Sequence, residues 1–453
     1  MRTFVKIAGL AVIAAGSAAA LAANELDGRW DAQLVRGDNV IPFRLDLSGS
    51  GPTLKGTLYD GFRPYEDTTS ASFKDGQLTL NIEHYLTTIS AKLDGDKLVG
   101  TVVAQNRENR ADYSFIATRH VDAPAAAVNA PSIAGSWEIP LEAPSSKGEK
   151  AFRLIVDQKG AEVAASILRV DGDTGAYSGT YKDGKWVLSH FDGSRPGVIV
   201  VTPAKDGTLQ IQQRVDRPQQ TAENKSSGEK AYGESAPDGR YASALIAYRT
   251  EVARAKGLPE PANYLTHTTA RDPNEKFTFH FKDANGKPVS SDDPQFKGKV
   301  ILAIVTGTWC PNCHDEAQYL VQLDKKYRAK GLAIVALDFE EAEQQDSLTR
   351  VHAFVKQYGV KYPYLIAGAP AEMWEKVPQL VNLNTWPATV FVGRDGTVRA
   401  VHAGFASPAS GEFHVQLKKE FTGRIEQLLA EKAPATTLTD ASQVSGDSVA
   451  RKL

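Results

Sequence analysis

The chain holds two cysteines in 453 residues, and both fall in one short run, Trp309-Cys310-Pro311-Asn312-Cys313. Two thiols three positions apart can make and break a disulfide or form half a zinc site. With His314 next, they also match the Cys-x-x-Cys-His pattern of c-type haem attachment. The flanking residues discriminate between these. Val300 to Val305 is apolar and β-branched, the composition of a buried strand. Thr306-Gly307-Thr308 breaks it, and Cys313, Ala317, Leu320, Val321 and Tyr327 follow at helical spacing. The cysteines therefore stand where a strand turns into a helix.

That place suits redox chemistry. A free cysteine of pKa about 8.5 is only a few per cent thiolate at neutral pH. At a helix N-terminus Cys310 would face unpaired N–H groups and the positive end of the helix dipole. Pro311 suits the first helical turn, where its missing N–H has no intrahelical partner. Cys313 would lie one turn further in and more buried. Cys310 is thus expected as nucleophile and Cys313 as resolving thiol. A static disulfide closing a two-residue loop would add little stability. A zinc site lacks a second ligand pair. A haem would need a second axial ligand, and nothing recommends Met373. The expectation is a redox pair with no metal and no cofactor, a c-type haem through Cys310-x-x-Cys313-His314 being the minor alternative.

The net charge of -2 gives no reason to invoke nucleic acid. Residues 1–22 read as a signal peptide: Arg2 and Lys6, an Ala-rich apolar stretch from Ile7, and Ala20-Leu21-Ala22 as cleavage site. The expected address is periplasmic, with no stable membrane insertion after cleavage.

Residues 26–120 read as a β-rich module, with Asp60-Gly61, Asp75-Gly76 and Asp94-Gly95 as hairpin turns. Residues 132–213 repeat the plan. Gly28-Arg29-Trp30 recurs as Gly135-Ser136-Trp137, Phe43-Arg44-Leu45 as Phe152-Arg153-Leu154, and Lys74-Asp75-Gly76 as Lys182-Asp183-Gly184. Each block has the strands of a small antiparallel barrel or sandwich. Neither carries a cluster that suggests catalysis, so a binding or scaffold role for these modules, with the cysteine domain accessory, is the alternative function. Residues 214–270 read as a linker plus a helix over Tyr241 to Lys256. Residues 271–432 alternate strands and helices, and 433–453 form a polar tail expected to be disordered. Trp386-Pro387, just before the strand at Thr389, is a natural place for a cis bond.

Residues from about 272 to 430 resemble the TlpA/ResA-type thioredoxin-fold redoxins of the AhpC/TSA superfamily. The matching motifs are FTFHFKDANGKPVSSDD, the strand–TWCPNC–helix unit, the insertion Asp338 to Gly359, and Pro387 with the Asp395-Gly396 hairpin. The resemblance implies an α/β thioredoxin-like C-terminal domain behind two duplicated antiparallel β-modules. It also implies an exported thiol-disulfide oxidoreductase, acting as a reductase, with protein disulfide or thiol clients and a membrane thiol electron donor. Catalytic roles carry to Cys310, Cys313 and the cis-proline loop at Pro387. Glu316 occupies the position of a proton acceptor found in some members. Trp309, Pro311 and Trp386 are expected to meet the client. Two departures stand out: Ile304 replaces the buried acid that many thioredoxins carry on this strand, and Trp386 is bulkier than the residue usual before the proline.

Overall fold

In the computed structural model, residues 25–106, 109–121, 129–214, 244–345 and 347–432 are described. The expected signal peptide and tail lie outside them.

The alternating pattern of the first module becomes a meander. Nine strands from Gly28–Arg36 to Asn109–Arg119 form one antiparallel sheet, with Trp30, Leu34, Leu78, Leu80 and Ile82 facing its core. The edge strands Arg63–Asp67 and Ser70–Lys74 are consecutive in sequence but unpaired, so this barrel is open on one side. Phe191 and Val198 of the second module enter that core.

The second module closes completely. Strands Gly135–Pro140, Ala151–Lys159, Glu162–Arg169, Tyr177–Lys182, Lys185–His190, Gly197–Pro203, Leu209–Gln213 and Leu245–Arg249 pair in a ring, the last returning to the first at Trp137↔Arg249. Closure removes both sheet edges. The helix expected over Tyr241 to Lys256 is therefore corrected. Leu245–Arg249 is the eighth strand, and among the described residues of that range only Thr250–Ala255 is helical. Leu245, Ile246, Tyr248 and Val252 suggest helical spacing, but the gap between the first and seventh strands takes the segment as a strand. The barrel thus continues past residue 213, into the stretch read as linker.

The repeat holds at atomic detail. Trp30 Nε1 donates to Leu26 O at 2.9 Å, and Trp137 Nε1 to Ile133 O at 2.8 Å. Arg119 covers the first indole at 4.2 Å and Arg249 the second at 4.0 Å. Asp75-Gly76 and Asp183-Gly184 both have positive φ at both residues, as a tight hairpin turn between twisted strands requires. Both tryptophans are core residues. Trp137→Ala should cost about 3–5 kcal/mol, measured as a drop in the urea midpoint of barrel unfolding. A loss within experimental error would contradict that placement.

In the C-terminal domain a seven-stranded sheet has the spatial order Pro288–Ser290, His280–Asp283, Tyr364–Gly368, Leu332–Phe339, Val300–Thr306, Ala388–Val392, Val398–Ala403. Val300–Thr306 runs parallel to Leu332–Phe339 and antiparallel to Ala388–Val392. All seven of its residues are buried, because both faces of the sheet are covered. Leu302 and Ile304 pack with Leu320, Phe354, Phe421 and Ile425 of the helices Pro311–Tyr327, Thr349–Tyr358 and Glu412–Ala430. Ile301, Ala303 and Val305 pack with Phe277, Phe279 and Met373 on the opposite face. This is the thioredoxin-like arrangement, and it puts the end of the central strand at the start of the cysteine helix.

Candidate active site

Cys310 is the N-cap of the helix Pro311–Tyr327, extended at φ -97° and ψ 113°, with Pro311 at the first helical position. Cys310 O accepts from Cys313 N at 3.0 Å and from His314 N at 3.3 Å, so both cysteines share one turn. Both thiols are free. Cys310 is 5% exposed and Cys313 2%. Burial pushes the Cys313 thiol well above its usual range, and the Cys310 sulfur beside it adds to the shift. Cys313 therefore needs a proton acceptor before it can attack.

The Trp386-Pro387 bond is cis. Cys310 Sγ donates to Trp386 O at 3.5 Å, which brings the proline loop against the first thiol. The indoles of Trp309 and Trp386 meet edge to face at 5.2 Å and, with the two cysteines, form one cluster. Trp309 is only 9% exposed, and its Nε1 donates to Phe339 O at 2.9 Å. It holds the wall of the site and offers little of its ring to a client. The indole lies so close to Gly307 that a Cβ there would stand 2.4 Å from Nε1, so glycine is required in the Thr-Gly-Thr turn.

Glu316 lies one turn beyond Cys313 and is buried. Thr389 Oγ1, two residues past Pro387, donates to Glu316 Oε1, while Oε2 is buried without a hydrogen-bond partner. Burial raises its pKa to about 8, and the Thr389 bond offsets only part of that. An acid in that range suits proton exchange with a thiol near neutral pH.

His314 corrects the haem alternative. It is fully buried, Nε2 lies 2.7 Å from Thr308 O and Nδ1 2.9 Å from Tyr358 Oη. A carbonyl can only accept, so Nε2 carries the hydrogen and Nδ1 accepts from the tyrosine. Burial, then His84, holds the imidazole neutral, well below its usual pKa. Neither nitrogen is free to ligate iron. Protein matured alongside c-type cytochromes is expected to show no Soret band, and a covalently attached haem would contradict this.

Sequence reasoning missed what fixes the Thr308 loop. Arg350 Nε donates to Thr308 Oγ1 at 3.0 Å, and the guanidinium also pairs with Glu340 and with Glu341 at 2.8 Å. These groups are buried together, and helical spacing gives no hint that Arg350 turns inward. It also missed that the β-modules touch the cysteine helix. Tyr65 Oη donates to Asp315 Oδ1 at 2.7 Å, the Tyr85 ring stands 4.3 Å from that of His314, and Asn312 Nδ2 donates to Asp171 O at 3.0 Å.

A buried dithiol at a helix N-cap, faced by a cis-proline loop on this sheet, defines a thioredoxin-like redox domain. Residues 268–414 match the Redoxin family model, and this segment is a redoxin domain. Over 120 residues it is 32% identical to the thiol-disulfide oxidoreductase ResA of Bacillus thuringiensis, covering 26% of this chain and 62% of that protein. It is 29% identical over 126 residues to ResA of Bacillus subtilis, covering 28% and 64%. The chain thus spans under two thirds of these relatives' length. Among solved structures, a putative thiol:disulfide interchange protein DsbE from Chlorobium tepidum matches at 21% identity and TM-score 0.27, over 34% of this chain and 98% of that one. No helix among the described residues is long and apolar enough to cross a membrane.

Proposed function

We propose that the chain is an exported thiol-disulfide oxidoreductase that reduces disulfides in client proteins. The observation that carries this reading is the placement of Cys310 as N-cap with Cys313 one turn inside the same helix. The Cys310 thiolate attacks a client disulfide, a Cys310–client bond forms, and one client sulfur leaves as a thiolate that takes a proton from water. Glu316, in the carboxylate form that grows as pH rises toward 8, takes the Cys313 proton, and Cys313 attacks the Cys310 sulfur. The second client thiol leaves, and the Cys310–Cys313 disulfide remains. Two electrons have passed to the client, and a membrane thiol donor returns them. Trp386, with its backbone at the first thiol, and Pro311 border the client's path; Pro387 keeps competing N–H donors away from it. Export rests on the leader at residues 1–22.

Reduction of insulin by dithiothreitol tests the activity. The mature chain should accelerate it well above background. A rate equal to background would favour the other reading, in which the β-modules bind a partner and the redoxin domain is accessory.

A further inference from the structure

We infer that Arg195, on the closed barrel, is a positioning residue of the redox site, holding the first turn of the cysteine helix in its dithiol geometry through Asn312. Asn312 is the second residue between the cysteines. Its Nδ2 donates to Asp171 O at 3.0 Å, and its Oδ1 accepts from Arg195 Nη1 at 3.4 Å. Both partners stand on loops of the barrel, one after Glu162–Arg169 and one between Lys185–His190 and Gly197–Pro203.

The loops are built for this approach. Arg195 has φ 47°, a left-handed conformation that a long side chain rarely adopts without support. The support is Asp192, fully buried, which accepts from Arg195 Nε at 3.2 Å and stands 3.2 Å from His190 Nε2. On the other loop Gly172 has φ 120°, and a Cβ there would lie 2.6 Å from Asn312 Nδ2. Only glycine lets the barrel come this close to the cysteine turn.

Closing the disulfide must bring the two Cβ atoms to about 3.5–4.5 Å, within a turn whose middle residue is anchored at two points. In this structure the anchors are made while both thiols are free. Where closing the disulfide draws Asn312 off these two anchors, the contacts are stronger in the dithiol state and favour it. The barrel therefore biases the pair toward the dithiol, which makes it a stronger oxidant than the same turn unanchored.

This inference rests on the redox reading, and one titration separates the two. The full mature chain is equilibrated with glutathione, so that two thiols plus oxidised glutathione exchange with the Cys310–Cys313 disulfide plus two reduced glutathiones. Arg195→Met and Asn312→Ala are each expected to shift the equilibrium roughly three- to tenfold toward the disulfide, as loss of one or two hydrogen bonds implies. Tenfold is about 30 mV. The double variant should shift no further than Asn312→Ala, because both changes remove one shared contact. Asn312→Ala leaves the barrel loop itself intact, so it reports even if Arg195→Met fails to fold. No shift, a shift toward the dithiol, or additive shifts would overturn the inference. If the wild-type pair does not exchange at all, the redox reading fails and the inference falls with it.

Discussion

Cys310→Ser should reduce insulin turnover to the uncatalysed background, while Cys313→Ser should accumulate clients bound through Cys310. The two outcomes differ because the thiols hold different places on one turn. Cys310 caps the helix, at the positive end of its dipole, which favours an anion. Its sulfur also meets the carbonyl of the cis-proline loop. A serine there offers no sulfur for a mixed disulfide. Cys313 lies deeper, and burial keeps it protonated until a base acts. Its loss leaves the first step intact and removes the second. Adducts that run as one band on a non-reducing gel, and separate on adding dithiothreitol, are the expected readout. If Cys313→Ser traps nothing while the wild type turns over, or if Cys310→Ser traps instead, the roles are misassigned.

Glu316→Gln should change both rate and stability. In the unfolded chain this carboxyl titrates near 4.5, and burial raises it to about 8 in the folded state. Between those values the folded protein keeps a proton that the unfolded chain releases. Stability therefore falls as pH rises through this window, by up to about 1.4 kcal/mol per pH unit, and levels off above about pH 8. Glutamine removes that dependence. Urea unfolding from pH 5 to 8 should show a curve flatter by one proton for the variant. A variant with the wild-type slope would mean that Glu316 is not the buried acid responsible. Removing the proton acceptor for Cys313 should also slow client release by about 10²-fold. A release rate independent of residue 316 would leave Glu316 a core residue alone.

The cysteine site was legible because its logic is local. A β-branched strand, a glycine turn and a proline at the first helical position fix where the two sulfurs stand, and all are contiguous in sequence. The cis bond at Pro387 was legible only in context: an X-Pro before a strand is by itself more often trans, and the Cys-x-x-Cys pair in the same domain is what favoured cis. The β-modules were legible in kind through their Asp-Gly turns and the repeated tryptophans. The eighth barrel strand was not, because Leu245–Arg249 has a mixed apolar pattern and its strand conformation depends on partners at Gly135–Pro140 and Leu209–Gln213. The counterpart of Arg119 over Trp30 was the available signal, since Arg249 covers Trp137 in the same way. Nor could the Asn312 contacts be read, because Arg195 is 117 positions away and Asp171 is 141. Long-range polar contacts leave no periodicity in a sequence.

The reduction potential of the Cys310–Cys313 pair, measured by equilibrating the mature protein with glutathione or dithiothreitol and trapping free thiols, tests the reductase reading most directly. A value near or below about -270 mV is expected, the range of a dithiol able to reduce clients and dependent on a dedicated donor. A value near or above about -120 mV belongs to a disulfide that oxidises folding proteins, and would contradict the reductase reading.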